Sequence, residues 1–193
     1  MAKELKDMSL EELWQLFPII LKEHNPNYFA WYEEQKKNLV CVLNAYKICR
    51  INHIGSTSVK GLIAKPIVDI LLELPNDYKM DSVETLIQKS GWLLMAKNDE
   101  EKTLDFNYGY TVTGFLEKVY HLHIKPTGDW GELYFRDYLQ KHTDVSKEYE
   151  LLKLSLKKQF EHNRDAYTNA KSDFILKYTQ LAREEFAGRY FPI

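Results

Sequence analysis

The run Ile67-Val68-Asp69-Ile70-Leu71-Leu72-Glu73-Leu74 constrains the fold more than any other stretch of this chain. It is apolar, β-branched at its start and short, so it reads as a strand buried at the centre of a sheet. Strand side chains alternate between faces, so Asp69, Leu71 and Glu73 share one side and Val68, Ile70 and Leu72 the other. A carboxylate inside such a strand is costly unless it is paired, hydrogen-bonded or bound to a cation. Asp69 is therefore half of a structural ion pair, with Lys65 as a candidate partner, or it is a metal-binding or active-site group.

The flanking sequence supplies the other elements. Ser9-Leu10-Glu11-Glu12 is a capping box, opening a short helix that must stop before Pro18. Asn25-Pro26-Asn27 starts a second, amphipathic helix over residues 28–46, with Phe29, Tyr32, Leu39, Val42 and Leu43 at helical spacing. Residues 51–54 form a short strand broken by Gly55-Ser56-Thr57-Ser58. Beyond the central strand, Asp81 or Ser82 caps a helix that ends at Ser90-Gly91. Residues 92–96, 104–110 and 119–124 are further strand candidates. From residue 132 to 186 Gly and Pro almost vanish, and two or three helices are expected, with breaks near Thr143-Asp144 and Asn163. The expected class is α+β: a small mixed sheet flanked by helices over residues 19–130, then a helical C-terminal lobe over 131–188, in one domain spanning 1–193.

Composition removes several classes of function. The 193 residues carry 26 Lys and Arg against 28 Asp and Glu, a net charge of −2. A protein that relies on non-specific phosphate contacts is normally basic, so general nucleic-acid binding is disfavoured. Residues 1–7 are charged and no apolar segment follows, which does not resemble a secretory leader. The longest apolar stretches, 17–21 and 67–72, fall far short of the roughly 20 residues that span a bilayer. Cys41 and Cys49 fit no zinc or redox motif and read as buried small apolar residues. A cytoplasmic protein without membrane contact is expected.

Besides Asp69, chemistry can sit at four places. Gly55-Ser56 directly follows a strand; a Gly there lets backbone approach a ligand, and the Ser hydroxyl and nearby N–H groups can hold a phosphate oxygen. The same dipeptide also makes an ordinary turn, and the Walker pattern is missing. His121 and His123, at i and i+2 on a strand, share a face at a usable metal-ligand spacing, or are satisfied structural histidines. Arg136-Asp137 opens a helix as a charge clamp or a solvated ion pair. Arg164, Tyr167 and Lys171 recur at i, i+3 and i+7, so they clamp a phosphate or stack on a base, or form an exposed charged face.

Taken in order, several stretches resemble the GrpB family, within the nucleotidyltransferase-like fold superfamily. They are His53-Ile54-Gly55-Ser56-Thr57-Ser58-Val59-Lys60-Gly61-Leu62, Ala64-Lys65-Pro66-Ile67-Val68-Asp69-Ile70, Gly109-Tyr110-Thr111, Glu117-Lys118-Val119-Tyr120-His121-Leu122-His123, Tyr134-Phe135-Arg136-Asp137-Tyr138-Leu139 and His162-Asn163-Arg164-Asp165-Ala166-Tyr167. The resemblance covers residues 19–181. It implies a nucleotidyltransferase-like sheet, a Gly-Ser turn on a triphosphate, and paired carboxylates on two Mg²⁺ ions. By position, Gly55 and Ser56 match the phosphate turn and Asp69 the first metal carboxylate. Thr57, Lys65, Arg136, Arg164, Tyr167 and Lys171 join them as candidate nucleotide- or phosphate-binding residues.

The pattern departs where the superfamily has its second Asp. Leu71 stands there, and an apolar side chain cannot ligate Mg²⁺. The later strand offers His121 and His123 rather than a third carboxylate. Asp69, His121 and His123 are thus the expected catalytic and metal-binding set, for Mg or Mn, or for Zn or Ni, which imidazole suits better. Two functions follow from the resemblance. One is transfer of a nucleotidyl group to a small acceptor. The other is a non-catalytic nucleotide- or phosphate-binding or folding-helper module, related to coenzyme A because GrpB-like domains occur fused to dephospho-CoA kinase.

Overall fold

The computed structural model describes residues 3–192. Met1 and Ala2, with which the leader reading begins, lie outside them, as does Ile193. The chain runs α1 (Leu10–Leu16), α2 (Tyr28–Val42), β1 (Arg50–Ile54), β2 (Val68–Leu74), α3 (Met80–Lys89), β3 (Leu93–Asn98), β4 (Thr103–Thr111), β5 (Gly114–Pro126), α4 (Gly131–Lys141), α5 (Thr143–Phe160), α6 (Arg164–Asn169) and α7 (Ser172–Glu185). Among the described residues no helix is long and apolar enough to cross a membrane.

Local signals explain most boundaries. The Ser9 hydroxyl accepts from the Glu12 N–H and the Glu12 carboxylate accepts from the Ser9 N–H, so the capping box that opens α1 is complete. The helix stops at Leu16, ahead of Pro18, as the restriction on the residue before proline requires. In α2 the buried positions are Tyr28, Tyr32, Gln35 and Leu39, a stripe of 3.6 spacing. Phe29, expected on that stripe, lies one step round and is 66% exposed. Cys41 also falls off the stripe and is exposed, and Cys49 is half-buried, so neither thiol sits in the core as expected. Helix α3 starts at Met80 with Lys79 as its cap residue, ahead of the expected Asp81 or Ser82. The C-terminal region holds four helices rather than two or three, because Asn163 caps a short α6 that Ala170 and Lys171 separate from α7.

The five strands form one mixed sheet in the order β1-β2-β5-β4-β3. β2 and β5 are parallel, and the other neighbours are antiparallel. The alternation expected for β2 holds. Val68, Ile70 and Leu72 join Leu104, Phe106, Leu122 and Ile124 in a core closed by Tyr28, Tyr32 and Leu39 of α2 and Val83 and Ile87 of α3. On the other face Leu71 packs with Ile54 and with Leu133 of α4. Glu73, on that same face, is fully buried, and Arg50 grips it with two nitrogens at 2.8 and 2.7 Å. A bidentate guanidinium–carboxylate pair is what makes such burial tolerable. The C-terminal helices thus cover the acid-bearing face of the sheet, and one region of that face reaches solvent.

Candidate functional site

The register of the sheet brings the acids and imidazoles together. Asp69 on β2 lies opposite His121 on β5, and Asp105 on β4 lies opposite His123. Directly opposed residues project to the same side, so three adjacent strands present Asp69, His121, His123 and Asp105 on one face. His121 Nδ1 is 3.0 Å from Asp69 Oδ1, and His123 Nδ1 is 2.6 Å from Asp105 Oδ1. The two carboxylates keep side-chain exposures of 26% and 39%, so the site opens to solvent. Asp69 therefore takes His121 rather than Lys65 as its hydrogen-bonded partner.

Tyr110 joins this face through a bulge. Leu104, Phe106 and Tyr108 point into or pack against the core, and strict alternation would send Tyr110 after them. The register shifts between Tyr108 and Tyr110, with Gly109 at φ 88°. A Cβ at Gly109 would meet the Lys118 carbonyl oxygen at 2.5 Å, so only glycine allows the turn. Tyr110 then swings to the histidine side, where its hydroxyl is 2.8 Å from His121 Nε2. Arg164 donates to the same hydroxyl at 3.1 Å. The direction of this chain follows from its ends. Arg164 has only donors and ionised Asp69 only acceptors, so Tyr110 donates to His121 Nε2 and His121 Nδ1–H donates to Asp69.

Burial and neighbours set the charges. Burial alone would raise the Asp69 pKa, but the His121 hydrogen bond, with the positive charges of His123 and Lys65, outweighs it and holds the carboxyl below its usual range. Burial lowers the pKa of His121 despite Asp69, leaving a neutral ring against an ionised acid. For His123 burial also works against the charge, yet the Asp105 bond with Asp69 and Glu132 prevails, and its pKa is raised. Two imidazoles on one strand are thus tuned in opposite directions, the pattern of a base beside an acid. Burial raises the Tyr110 phenol, with Arg164 acting the other way.

The expected Asp69–His121–His123 metal triad is not assembled in this arrangement. Both ring nitrogens of His121 are engaged, His123 Nδ1 is bound to Asp105, and the two rings stand 6.5 Å apart at 84°. Among the described residues no group of three His, Cys, Asp or Glu could hold a metal ion. Leu71, at the position of the missing second acid, is fully buried. The donor set does not fit a resident divalent metal on these three residues.

Beside the acids lies a group of cations. Lys65, Lys153 and Lys171 are pushed down by burial to about 7, about 7 and about 8, with mutual repulsion and Arg164 adding to the effect. Their partners are neutral. Lys153 donates to Ser56 Oγ at 3.1 Å and to the Ile63 carbonyl, while Lys65 and Lys171 lie 5.6 and 4.5 Å from the centre of the Tyr167 ring. Among the described residues neither these three lysines nor Arg164 takes part in a salt bridge, whereas His121, His123 and Lys125 close by pair with Asp69, Asp105 and Glu132. The Tyr167 hydroxyl is buried and without a partner among the described residues. Asp69 lies close enough to favour the charged forms of Lys65 and Lys171, and Glu150 that of Lys153, yet none of the four cations is in salt-bridge contact with a carboxylate among the described residues, a cradle that leaves their donors open to an anion.

The remaining candidates fall into place around this cradle. Ser56 receives Lys153, and Gly55 sits against the Asp69 carboxylate at φ 69°. Arg164, Tyr167 and Lys171 do come together, though the helix is broken before Lys171. Thr57 turns inward: it is 2% exposed, and its hydroxyl donates to the Ile67 carbonyl and meets His53 Nε2. Arg136 is spent on Asp137, Asn52, the His53 carbonyl and the Tyr190 hydroxyl. Its contacts belong to the packing of α4 on β1. Sequence reasoning assigned no role to Asp105, Tyr110 or Lys153. Lys153 left a signal, since it sits with Val145, Tyr149 and Leu156 on the buried stripe of α5, where a lysine is out of character. Asp105 left one too, as a polar residue between Leu104 and Phe106.

Fold and site together define a mixed-sheet α+β protein that sets Asp–His pairs beside cations whose hydrogen-bond and ring partners are neutral. The chain belongs to the GrpB family, whose model, described as GrpB protein, matches residues 18–181. It is 32% identical over 162 residues to the glutamate-rich protein GrpB of Alkalihalophilus pseudofirmus, covering 81% of this chain and 91% of that one. It is 28% identical over 169 residues to the UPF0157 protein YqkA of Bacillus subtilis, covering 86% of this chain but 48% of that relative, so it spans about half of the latter's length. The crystal structure of the conserved protein GrpB from Enterococcus faecalis superposes with a TM-score of 0.73 at 26% identity, covering 86% of this chain and 99% of that one.

Proposed function

We propose that this GrpB-family protein binds a phosphorylated small molecule, a nucleotide included, with its phosphate among Lys65, Lys153, Lys171, Arg164 and Ser56. The observation that carries this reading is the convergence of four cations with neutral partners only. Holding like charges together is costly, and a di-anionic group relieves that cost on arrival. The partnerless Tyr167 hydroxyl supplies one more donor. Metal-assisted nucleotidyl transfer is not part of the reading, because Leu71 replaces one acid and the site's other donors are bonded to one another.

The test is thermal unfolding and calorimetry of the whole chain with inorganic phosphate, pyrophosphate and ATP, each with and without Mg²⁺. Binding is expected without metal. Ligand at 100 times its dissociation constant stabilises by about 2.7 kcal/mol, which is easily measured. Failure of all three anions to bind would overturn the reading, as would equal binding by a variant with Lys65, Lys171 and Arg164 replaced by Met.

A further inference from the structure

The hydrogen-bond chain that ends on Tyr110 has the form of an activated nucleophile. Such a group needs three things: a hydroxyl, a base within hydrogen-bond reach, and a third group that orients the base. Here the Tyr110 hydroxyl is 2.8 Å from His121 Nε2, and His121 Nδ1 is 3.0 Å from Asp69. Arg164 approaches the same oxygen from the side at 3.1 Å, where it would stabilise negative charge as the proton leaves. A guanidinium has five donors, so Arg164 can hold Tyr110 and a phosphate oxygen together.

Two features of the fold exist around this hydroxyl. The Gly109 bulge takes Tyr110 out of the core face and sets it against His121. Phe17 and Phe115 then fix the ring from the side, with centroids at 4.8 and 5.0 Å. The aromatic packing would be served equally by a phenylalanine. The hydroxyl and its alignment would not.

We propose that Tyr110 is the catalytic nucleophile of this site, attacking the phosphorus of a phosphoric ester or anhydride held by the cationic cradle. The proposal rests on the phosphate-binding reading above. In the first step the Tyr110 oxygen forms a bond to phosphorus and its proton passes to His121 Nε2. The bond from phosphorus to the leaving oxygen breaks, and that oxygen keeps the electron pair and takes a proton from solvent. The product is a phosphotyrosyl protein and a free alcohol or shortened phosphate. In the second step water attacks the same phosphorus and releases a proton to solvent. The bond from phosphorus to Tyr110 breaks, and the tyrosyl oxygen recovers the proton held by His121. Asp69 touches no reacting atom and acts as a positioning residue for the His121 ring.

The whole chain would be mixed with p-nitrophenyl phosphate or ATP, quenched in acid and mapped by peptide mass spectrometry. The expected result is a phosphoryl or nucleotidyl mass on Tyr110, with nitrophenolate release from the first probe. Tyr110→Phe is expected to abolish the adduct and the release while leaving inorganic phosphate binding intact. His121→Asn is expected to slow release about 10²–10⁴-fold, the usual contribution of a general base. The proposal is overturned if Tyr110→Phe releases nitrophenolate at the wild-type rate or if the label lies on another residue. Absence of any adduct or release from either probe, while inorganic phosphate still binds, also overturns it. Loss of phosphate binding itself in the wild-type chain would instead sink the cradle on which the proposal stands.

Discussion

A Cβ on Gly55 would run into the Asp69 carboxylate. The turn after β1 and the acid of β2 are therefore in contact, and the glycine is what permits it. Gly55 also has φ 69° and ψ −175°, a region open to glycine and almost closed to other residues. Gly55→Ala is expected to cost about 1–3 kcal/mol in chemical unfolding, the range for such backbone strain. It should also displace Asp69, so phosphate affinity and the His121 titration, followed by NMR, should change together.

Among the described residues the Lys65 amine forms no hydrogen bond, and burial with the nearby Lys171 and Arg164 outweighs the favourable pull of Asp69, so the amine is poorly satisfied by the fold itself. Lys65→Met is expected to leave the unliganded protein as stable as before, or more stable. It should weaken phosphate binding about tenfold to a hundredfold, because a hydrogen bond to a charged group is worth about 1.5–3 kcal/mol. Unfolding and calorimetry on the same variant would show the two effects separating; a parallel loss of both would contradict it.

Phosphate affinity should fall as pH rises through about 7 to 8, where Lys65, Lys153 and Lys171 lose their protons. In the unfolded chain these amines keep their protons up to the ordinary lysine value of 10.5, so there the unfolded state binds more protons than the native one. By linkage these lysines make the unliganded native state gain stability as pH rises across that interval. The stabilisation given by phosphate should shrink over the lower part of it. A pH series of melting curves with and without phosphate checks both slopes.

Leu71 occupies the place where paired carboxylates would need a second acid, yet it is sealed against Ile54 and Leu133. Leu71→Asp is expected to destabilise by at least about 2–5 kcal/mol, the cost of losing a buried leucine, with an unpaired charge added to it. It should confer no Mg²⁺-dependent stabilisation. A melting temperature that rises with Mg²⁺ in this variant would show that the position can still serve a metal.

Arg50 and Glu73 stabilise the sheet rather than the chemistry. Removing one partner of a buried pair costs about 3–5 kcal/mol, because the other charge is left alone. Arg50→Met is expected to fall in that range by urea unfolding, with phosphate affinity per folded molecule unchanged.

The sheet and its central strand were legible because apolar runs, β-branching and alternation act within a few residues. Asp69, His121 and His123 could be placed on strands for the same reason, and the prediction that they share a face depended only on which strands are neighbours. The metal assignment depends on different physics. Spacing reports where a ring can point, not what its nitrogens are bonded to, and the partners of the histidines, Asp105 and Tyr110, lie on β4. Tyr110 was hidden further by the Gly109 bulge, which reverses alternation at one residue. Thr57 and Arg136 looked like ligand residues because polar groups that satisfy backbone and those that meet a substrate have the same chemistry in a sequence. The helical lobe was read with too few helices because α6 has only 6 residues, below the length at which periodicity can be seen.

Arg164, Tyr167 and Lys171 all come from one short stretch late in the chain, whereas Asp69 and Ser56 belong to its first half. During synthesis on the ribosome Ser56, Lys65 and Asp69 therefore emerge well before Lys153, Arg164 and Lys171, the other cations of the proposed cradle. A nascent chain has its sheet sequence in hand but no competent binding site. The proposed cradle is thus complete only once residues 153–171 have folded onto the sheet.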